Sequence, residues 1–391
     1  LLSSTRRRKD SRVSPRREVQ YLALHGQLLA SASPVPDSSP CCPLIDMKST
    51  ADCYAVVLAG GEGSRFWPAS RPERPKQLLA LGSPRPLIQD TLERAESLVG
   101  PERVRVIASE PLISSLCECA PGLTRTRFLV EPAARSTGPA LAWAAYEIEK
   151  SSPGAIMISL HADHVIHPLP ELVETIDRAV SAANRGSLVC LGVEPDRPET
   201  GYGYIEVGEG TGDRTWRARR FVEKPDRETA EEYLASGGFL WNSGIFVWRA
   251  ADLLQAIRDV APEISLALPL LESDGVESFF SAVEPISIDV AVMERSPVVE
   301  VALASFAGDV VGAWNASART RPTDSQGNVL VGSATAVDAT RNVVWAEEGE
   351  VVLFDVDDLV VVRSGNVTMV TRRSSAPDLK KLVSRLRSGD E

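Results

Sequence analysis

Three glycines, at positions 60, 61 and 63, directly follow the apolar run Tyr54-Ala-Val-Val-Leu58. Glycine lets successive backbone N–H groups turn toward one point and lets a ligand come close. Four cations follow, Arg65, Arg71, Arg74 and Lys76, among prolines 68, 72 and 75. A segment so rich in proline does not open a regular helix at once, so it reads as an ordered loop carrying fixed positive charge. Strand, glycine turn and basic loop together suit a polyphosphate. The bland alternative is a tight turn with solvated Arg and Lys. A dinucleotide fingerprint would need a glycine at Phe66 and an uninterrupted helix after it, and a P-loop would need Gly-Lys-Ser/Thr; neither is present.

A second group lies in Leu160-His-Ala-Asp-His-Val-Ile-His167, at the end of a strongly apolar strand. Asp163 at a strand's carboxyl edge suits Mg²⁺, which takes oxygen ligands and shares them with substrate phosphates. Three of the four histidines, at 161, 164 and 167, are here. Imidazole suits zinc or iron, so a metal hydrolase on His161, Asp163, His164 and His167 is a rival reading. Histidines that merely cap backbone groups are the structural alternative. Four further segments set polar residues among apolar or glycine neighbours. Val130-Glu-Pro-Ala-Ala-Arg-Ser-Thr137 reads as a strand end, a proline turn and a helix start. Thr200-Gly-Tyr-Gly-Tyr-Ile205 has alternate glycines, as where a ligand or backbone approaches a strand, or at a bulge. Phe221-Val-Glu-Lys-Pro225 fits a surface strand end. Asn242, inside Phe239–Phe246, needs a partner among large apolar groups.

The elements that must hold these groups are read from periodicity. Strands are expected at Tyr54–Leu58, Val104–Ala108, Arg127–Val130, Ala155–Leu160 and Leu188–Val193. Between them apolar residues recur every three or four positions, as at Ile88, Leu92, Ala95 and Val99, and at Leu172, Ile176, Ala179 and Ala183. This alternation predicts an α/β fold, a Rossmann-like, mostly parallel sheet flanked by helices, with ligands at the strands' carboxyl ends. Asp252 reads as an N-cap for a helix carrying Leu253, Leu254, Ile257 and Val260. After residue 323, short β-prone runs separated by turns predict a small C-terminal β-rich unit without a convincing hexapeptide repeat. A last helix is expected near Asp378–Leu386. The expected division is an extension over 1–50, a catalytic domain over 51–322 and the β-rich unit over 323–391.

Net charge is −11 over 391 residues, while the first fifty carry eight Lys or Arg against four Asp or Glu. An acidic body argues against broad nucleic-acid binding. Without an apolar run of about 18 residues, no membrane span is expected. The six cysteines show neither zinc spacing nor a disulfide framework, which fits free thiols in a reducing cytoplasm. Residues 1–50 have a disordered composition; an Arg- and Ser-rich transit peptide is one reading, and a native start at Met47 is preferred.

Leu58-Ala-Gly-Gly-Glu-Gly-Ser-Arg-Phe-Trp-Pro68 with Pro75-Lys-Gln77 resembles the signature of sugar-nucleotide pyrophosphorylases, and its Trp-Pro and Pro-Lys-Gln pieces resemble the mannose-1-phosphate guanylyltransferase branch. The resemblance extends to about residue 316. It implies transfer of GMP from GTP to mannose 1-phosphate, giving GDP-mannose and pyrophosphate, with Mg²⁺ as cofactor. It implies catalytic roles for Arg65, Lys76 and Asp163. It implies a nucleotide site of Leu58, Gly60, Gly61, Gly63, Ser64, Arg65, Glu131, Arg135 and Thr137. By the same resemblance Gly203, Glu223, Asn242 and Asp289 meet the hexose and Lys224 its phosphate. His161, Ser136 and Val290 replace residues usual in the family. The metal ligands implied are Asp163 and an Asp in Trp-x-Asp-Val-Gly-x-Trp. Aligned on Gly312 and Trp314, this chain has Val310 at that place and Asp309 one residue early. A one-residue slip turns a strand side chain to the other face, which a bulge can restore. The alternatives are another hexose 1-phosphate or nucleotide, and a non-catalytic sugar-nucleotide sensor. No nucleic-acid or membrane partner is expected, and a homodimer is the candidate assembly.

Overall fold

The computed structural model describes residues 52–61 and 63–388, with 307–310 described by backbone alone. The extension expected over residues 1–50 lies outside the described residues. No helix among the described residues is long and apolar enough to cross a membrane.

Four strands form one end of the main sheet: β1 Cys53–Leu58, β2 Val104–Ala108, β3 Phe128–Val130 and β4 Ile156–His161. They pair in parallel in the order β3-β2-β1-β4. β1 and β4 are nearly continuous apolar runs because helices cover both faces of the sheet. After β4 comes a short strand, β5 His164–His167, outside the main sheet. The sheet continues with β6 Leu188–Val193, β7 Tyr204–Gly212, β8 Thr215–Val222, β9 Phe239–Arg249 and β10 Val299–Leu303, in the order β4-β9-β6-β10-β8-β7. β6 and β10 pair in parallel, and β9 runs antiparallel to both β4 and β6. β7 also pairs with β9, so the far edge curls back on the sheet.

Helices α1 Leu87–Val99, α2 Thr137–Ser151, α3 Leu169–Ala183 and α4 Ala250–Val260 cover the faces. α2 and α4 pack into one apolar cluster. α1 and α3 pack into the other. Asp252 is not the cap of α4. The helix starts two residues earlier, and Asp252 in its first turn accepts from Arg249 Nε at 2.6 Å. An acid is favoured there by the helix dipole, which is why the residue type pointed near the right place. Cys53, Cys117, Cys119 and Cys190 are unbridged.

Beyond the sheet, β11 Ala307–Val310 pairs antiparallel with β5. The C-terminal β-rich unit is a coil of short parallel strands. β12 Val329–Val331, β14 Val343–Ala346 and β16 Leu359–Ser364 stack on one side, and β13 Ala334–Val337 with β15 Val351–Phe354 on another. β17 Val367–Arg372 closes the first stack antiparallel, and α5 Leu379–Ser388 follows. Asn328 and Asn342 are buried one coil apart, and Asn342 Nδ2 donates to Asn328 Oδ1 at 3.0 Å. A third apolar cluster joins this coil to the loop after β1 through Phe66, Leu79, Trp314, Trp345 and Val360.

Candidate active site

A cavity of about 310 Å³ opens at the carboxyl ends of β1 and β4. Leu58, Gly60 and Gly61 line it from the glycine turn, Lys76 and Gln77 from the basic loop. Glu131 and Thr137 line it from the segment between β3 and α2, and His161 and Asp163 from the end of β4. Gly61 has φ +102°, a conformation glycine adopts without strain. Ser136 turns the chain into α2 at φ +70°, and Thr137 Oγ1 accepts from the Ile288 N–H at 3.0 Å.

Lys76 Nζ donates to Asp163 Oδ2. Burial works to raise the Asp163 carboxyl, but Lys76, His164 and His161 outweigh it and hold the group well below the usual carboxylate range. His164 is buried beside it, with Nε2 3.9 Å from Asp163 Oδ1. Burial depresses both imidazoles, His164 to about 3, so each is neutral near pH 7. The two rings stack 5.1 Å apart, and donor atoms of His161, Asp163 and His164 lie within 4.8 Å of one another. His167 is exposed and stands outside this group. Burial raises the Glu131 carboxyl against a backbone hydrogen bond from Arg135.

A second polar group forms where β7, β8 and β9 meet. The Asn242 N–H donates to the Gly203 carbonyl at 2.8 Å. A Cβ on Gly203 would stand 2.6 Å from Glu223 Oε2, so only glycine leaves that carboxylate its place. Asn242 Oδ1 accepts from the Gly244 N–H at 2.8 Å, and its Nδ2 donates to Asp289 Oδ1 at 2.7 Å. Asp289 opens a π-helical turn. Burial and the nearby Glu223 push its carboxyl up to about 6. Lys224 sits at φ +49°, pairs with Glu223 and lies near enough to help depress His161. Gly244 bridges the two groups, since a Cβ there would stand 3.4 Å from the His161 ring.

The nucleotidyl transferase family matches residues 54–283, and the MannoseP isomerase/GMP-like beta-helix domain matches 332–386. The Klebsiella pneumoniae mannose-1-phosphate guanylyltransferase is 37% identical over 343 residues, 84% of this chain and 72% of that protein. The Escherichia coli K12 mannose-1-phosphate guanylyltransferase is 34% identical over 86% of this chain and 73% of its own length. A solved Thermus thermophilus structure, described as a mannose-1-phosphate geranyltransferase, shares 36% identity and a TM-score of 0.80, covering 86% of this chain and 99% of that one. The chain belongs to the nucleotidyl transferase family. Within it, the resemblance to the mannose-1-phosphate guanylyltransferase branch holds over most of the chain, and the protein is an enzyme of that family.

Several signature residues lie beside the cavity rather than on its wall. Gly63, at φ +65°, packs on Lys76: a Cβ there would stand 2.6 Å from Lys76 Cβ. Ser64 and Arg65 form a short 3-10 turn, and the exposed Arg65 Nη1 reaches the Gly312 carbonyl at 3.5 Å. Arg135 Nε donates to the Phe280 carbonyl at 2.9 Å. Arg71 and Arg74, read from sequence as part of the phosphate-facing charge, are instead engaged by Ser364 and Glu347 of the C-terminal coil. In β11 the backbone register sets Asp309 opposite Val165 and Val310 opposite His164. Gln77 is a polar wall residue to which sequence reasoning assigned no role. Its Nε2 donates to the Ala59 carbonyl at 2.6 Å, and its Oε1 is buried without a partner among the described residues. Its place directly after Lys76 was the available signal.

Proposed function

We propose that this enzyme transfers GMP from GTP to mannose 1-phosphate, releasing GDP-mannose and pyrophosphate. The observation that carries the proposal is one cavity joining the glycine turn, Lys76, Asp163 and Glu131, in a chain 37% identical to a mannose-1-phosphate guanylyltransferase. A phosphate oxygen of the sugar phosphate attacks the α-phosphorus, and the bond to the β-phosphate's bridging oxygen breaks with pyrophosphate leaving. No general base is required, because the attacking oxygen is already anionic. Gly60 and Gly61 offer backbone N–H groups and Lys76 an ammonium to charge on the phosphates. An incoming triphosphate gives Lys76 a second anionic partner and frees Asp163. Asp163 fits a divalent ion, being a hard oxygen donor at the cavity edge that leaves coordination places for substrate phosphates. Bound by Asp163, with Asp309 as the proposed second ligand, Mg²⁺ would supply charge neutralisation to both reactants. Gly203, Glu223, Asn242 and Asp289 would hold hexose hydroxyls, with Lys224 on the sugar phosphate. Positioning then supplies much of the rate.

Glu131 supports guanine as the base. A carboxylate accepts two adjacent donors, which guanine offers through N1–H and its exocyclic amine. The test is pyrophosphate release with Mg²⁺ and mannose 1-phosphate, comparing GTP, ATP, UTP and dTTP. Release with GTP alone is expected; release with another nucleotide, or with none, overturns the assignment. Glu131→Gln is expected to cut the GTP preference by about 10- to 100-fold, the worth of a charge-assisted hydrogen bond. Light scattering checks the homodimer, and reduced thiols throughout would fit the proposed cytoplasmic setting.

A further inference from the structure

The proposed reaction leaves unused a polar cluster between the signature loop and the C-terminal coil. Arg71 and Arg74 close a tight turn, each backbone N–H donating to the other's carbonyl at 3.0 Å. Arg74 Nη1 donates to Glu347 Oε1 at 2.8 Å. Trp345 Nε1 donates to the same oxygen at 3.2 Å, and Ser364 Oγ donates to Glu347 Oε2 at 2.5 Å. Arg71 Nη2 donates to the Ser364 carbonyl and hydroxyl oxygens at 3.2 and 3.3 Å. The Glu347 N–H donates to the Arg363 carbonyl at 3.0 Å, so Glu347 and Ser364 belong to adjacent coils held together by backbone. Both loop arginines therefore end on one rigid edge.

An isolated surface ion pair would fix little. Here the acid is the better-held partner: the Glu347 side chain is 18% exposed against 47% for Arg74. Burial works to raise the Glu347 carboxyl, but hydrogen bonds from Ser364 and Trp345 and the Arg74 charge bring it below the usual value. It presents a fixed anion to a loop that carries the cation facing the cavity. Only Pro75, with its restricted φ, separates Arg74 from Lys76. On the other side Gly63 lets the glycine turn press directly on the Lys76 stem. The 71–74 turn is therefore joined to the Lys76 backbone through one stiff residue.

We propose that Glu347 is a positioning residue for the transfer reaction. Through Arg74, and with Ser364 acting on Arg71, it holds the 71–76 segment so that Lys76 meets Asp163 and the substrate phosphates. The inference rests on the reaction proposed above, and its test separates the two. Glu347→Gln keeps the side chain's shape and removes its charge. The expected result is a kcat about tenfold lower, with KM for both substrates changed less than about twofold, because geometry in the transition state is lost rather than uniform binding. Glu347→Asp recovers part of the loss. Arg74→Gln gives a similar loss, and the Arg74→Gln/Glu347→Gln double variant loses no more than either alone. Arg74 is half-exposed, so its variant carries the test even where Glu347→Gln fails to fold. Amide hydrogen exchange over residues 64–78 rises in each variant.

A kcat within about twofold of the unaltered chain, or single losses that multiply in the double variant, overturns the proposal. If the unaltered chain releases no pyrophosphate with any nucleotide, the proposed reaction fails. Hydrogen exchange then decides the clamp by itself, and unchanged protection of residues 64–78 in the variants overturns it.

Discussion

Lys76 and Asp163 form the ion pair on which the proposed chemistry turns, and the ammonium helps hold the Asp163 carboxyl ionised. Removing the ammonium would leave a buried carboxylate without its main cationic neighbour and take a cation from the phosphates. Lys76→Met is expected to lower kcat about 100- to 1,000-fold, the range seen when one preorganised donor to a developing charge is removed; pyrophosphate release measures it. Asp289 carries a different prediction, because its carboxyl is pushed up to about 6 from an ordinary 3.8 by burial and Glu223. The folded chain holds that proton more tightly than the unfolded chain. Its contribution to stability is therefore full below the ordinary value and is lost as pH rises through about 6. Sugar binding runs the other way, since a hydroxyl donates to the ionised carboxylate. KM for the sugar phosphate should rise as pH falls below about 6, and Asp289→Asn should flatten that dependence while raising KM at neutral pH. A KM profile unchanged by Asp289→Asn would remove the residue from the sugar site. Nothing in the sequence beyond the family resemblance joined Asp289 to Asn242, because they meet only when a π-helical turn is laid against β9.

At the scale of elements, the α/β half was legible because its signals are strong and local. β1 and β4 are apolar runs buried on both faces, and α1 and α3 repeat apolar residues at three and four. The C-terminal unit announced its β character but hid its coiling. Its strands are three to six residues long, and corresponding positions lie 14 residues apart from Asn328 to Asn342 and 17 from Asn342 to Leu359. An uneven period of that kind leaves no short repeat to find. The asparagines are its clearest mark. Asn342 Oδ1 accepts from the Leu359 N–H at 2.9 Å, and its Nδ2 donates to the Val356 carbonyl at 3.0 Å, with no exposure to water. Asn342→Leu would leave the part-buried Leu359 N–H without its acceptor and would take one of two donors from both the Val356 carbonyl and Asn328 Oδ1. A loss of about 2–4 kcal/mol is expected, to be read from urea unfolding. Loss below half a kilocalorie would mean that water or a shifted coil replaces the ladder. The loop arginines show the opposite limit of legibility. Their types and spacing were read correctly as fixed charge, but their partners lie 273 and 293 residues away, beyond any local pattern.

The whole molecule is held together by a core that crosses the line between its α/β body and its coil. Phe66, Leu79, Leu81 and Leu87 are fully buried, and they share one cluster with Val329, Val343, Trp345, Val360 and Val362. Trp314 lies between the two sides, 5.2 Å from the Phe66 ring and 5.4 Å from the Trp345 ring, and donates from Nε1 to the Trp67 carbonyl. The signature loop thus packs on the coil from one side and on the glycine turn from the other. Ending the chain at residue 322 would expose the loop's buried face while leaving every strand of the main sheet in place. Each large apolar side chain returned to water costs about 1.5–3 kcal/mol. Four or five of them together approach the whole stability of an ordinary domain, about 5–15 kcal/mol. The shortened chain is therefore expected to aggregate or to unfold without a sharp transition, as followed by solubility and thermal denaturation. Trp314→Ala in the full chain should retain cooperative unfolding but lose about 3–5 kcal/mol, since it opens a cavity in the shared core without removing the coil. A soluble, cooperatively folding chain ending at 322 would show instead that the α/β body supports its own loop, and would assign the shared core to refinement of the site rather than to folding.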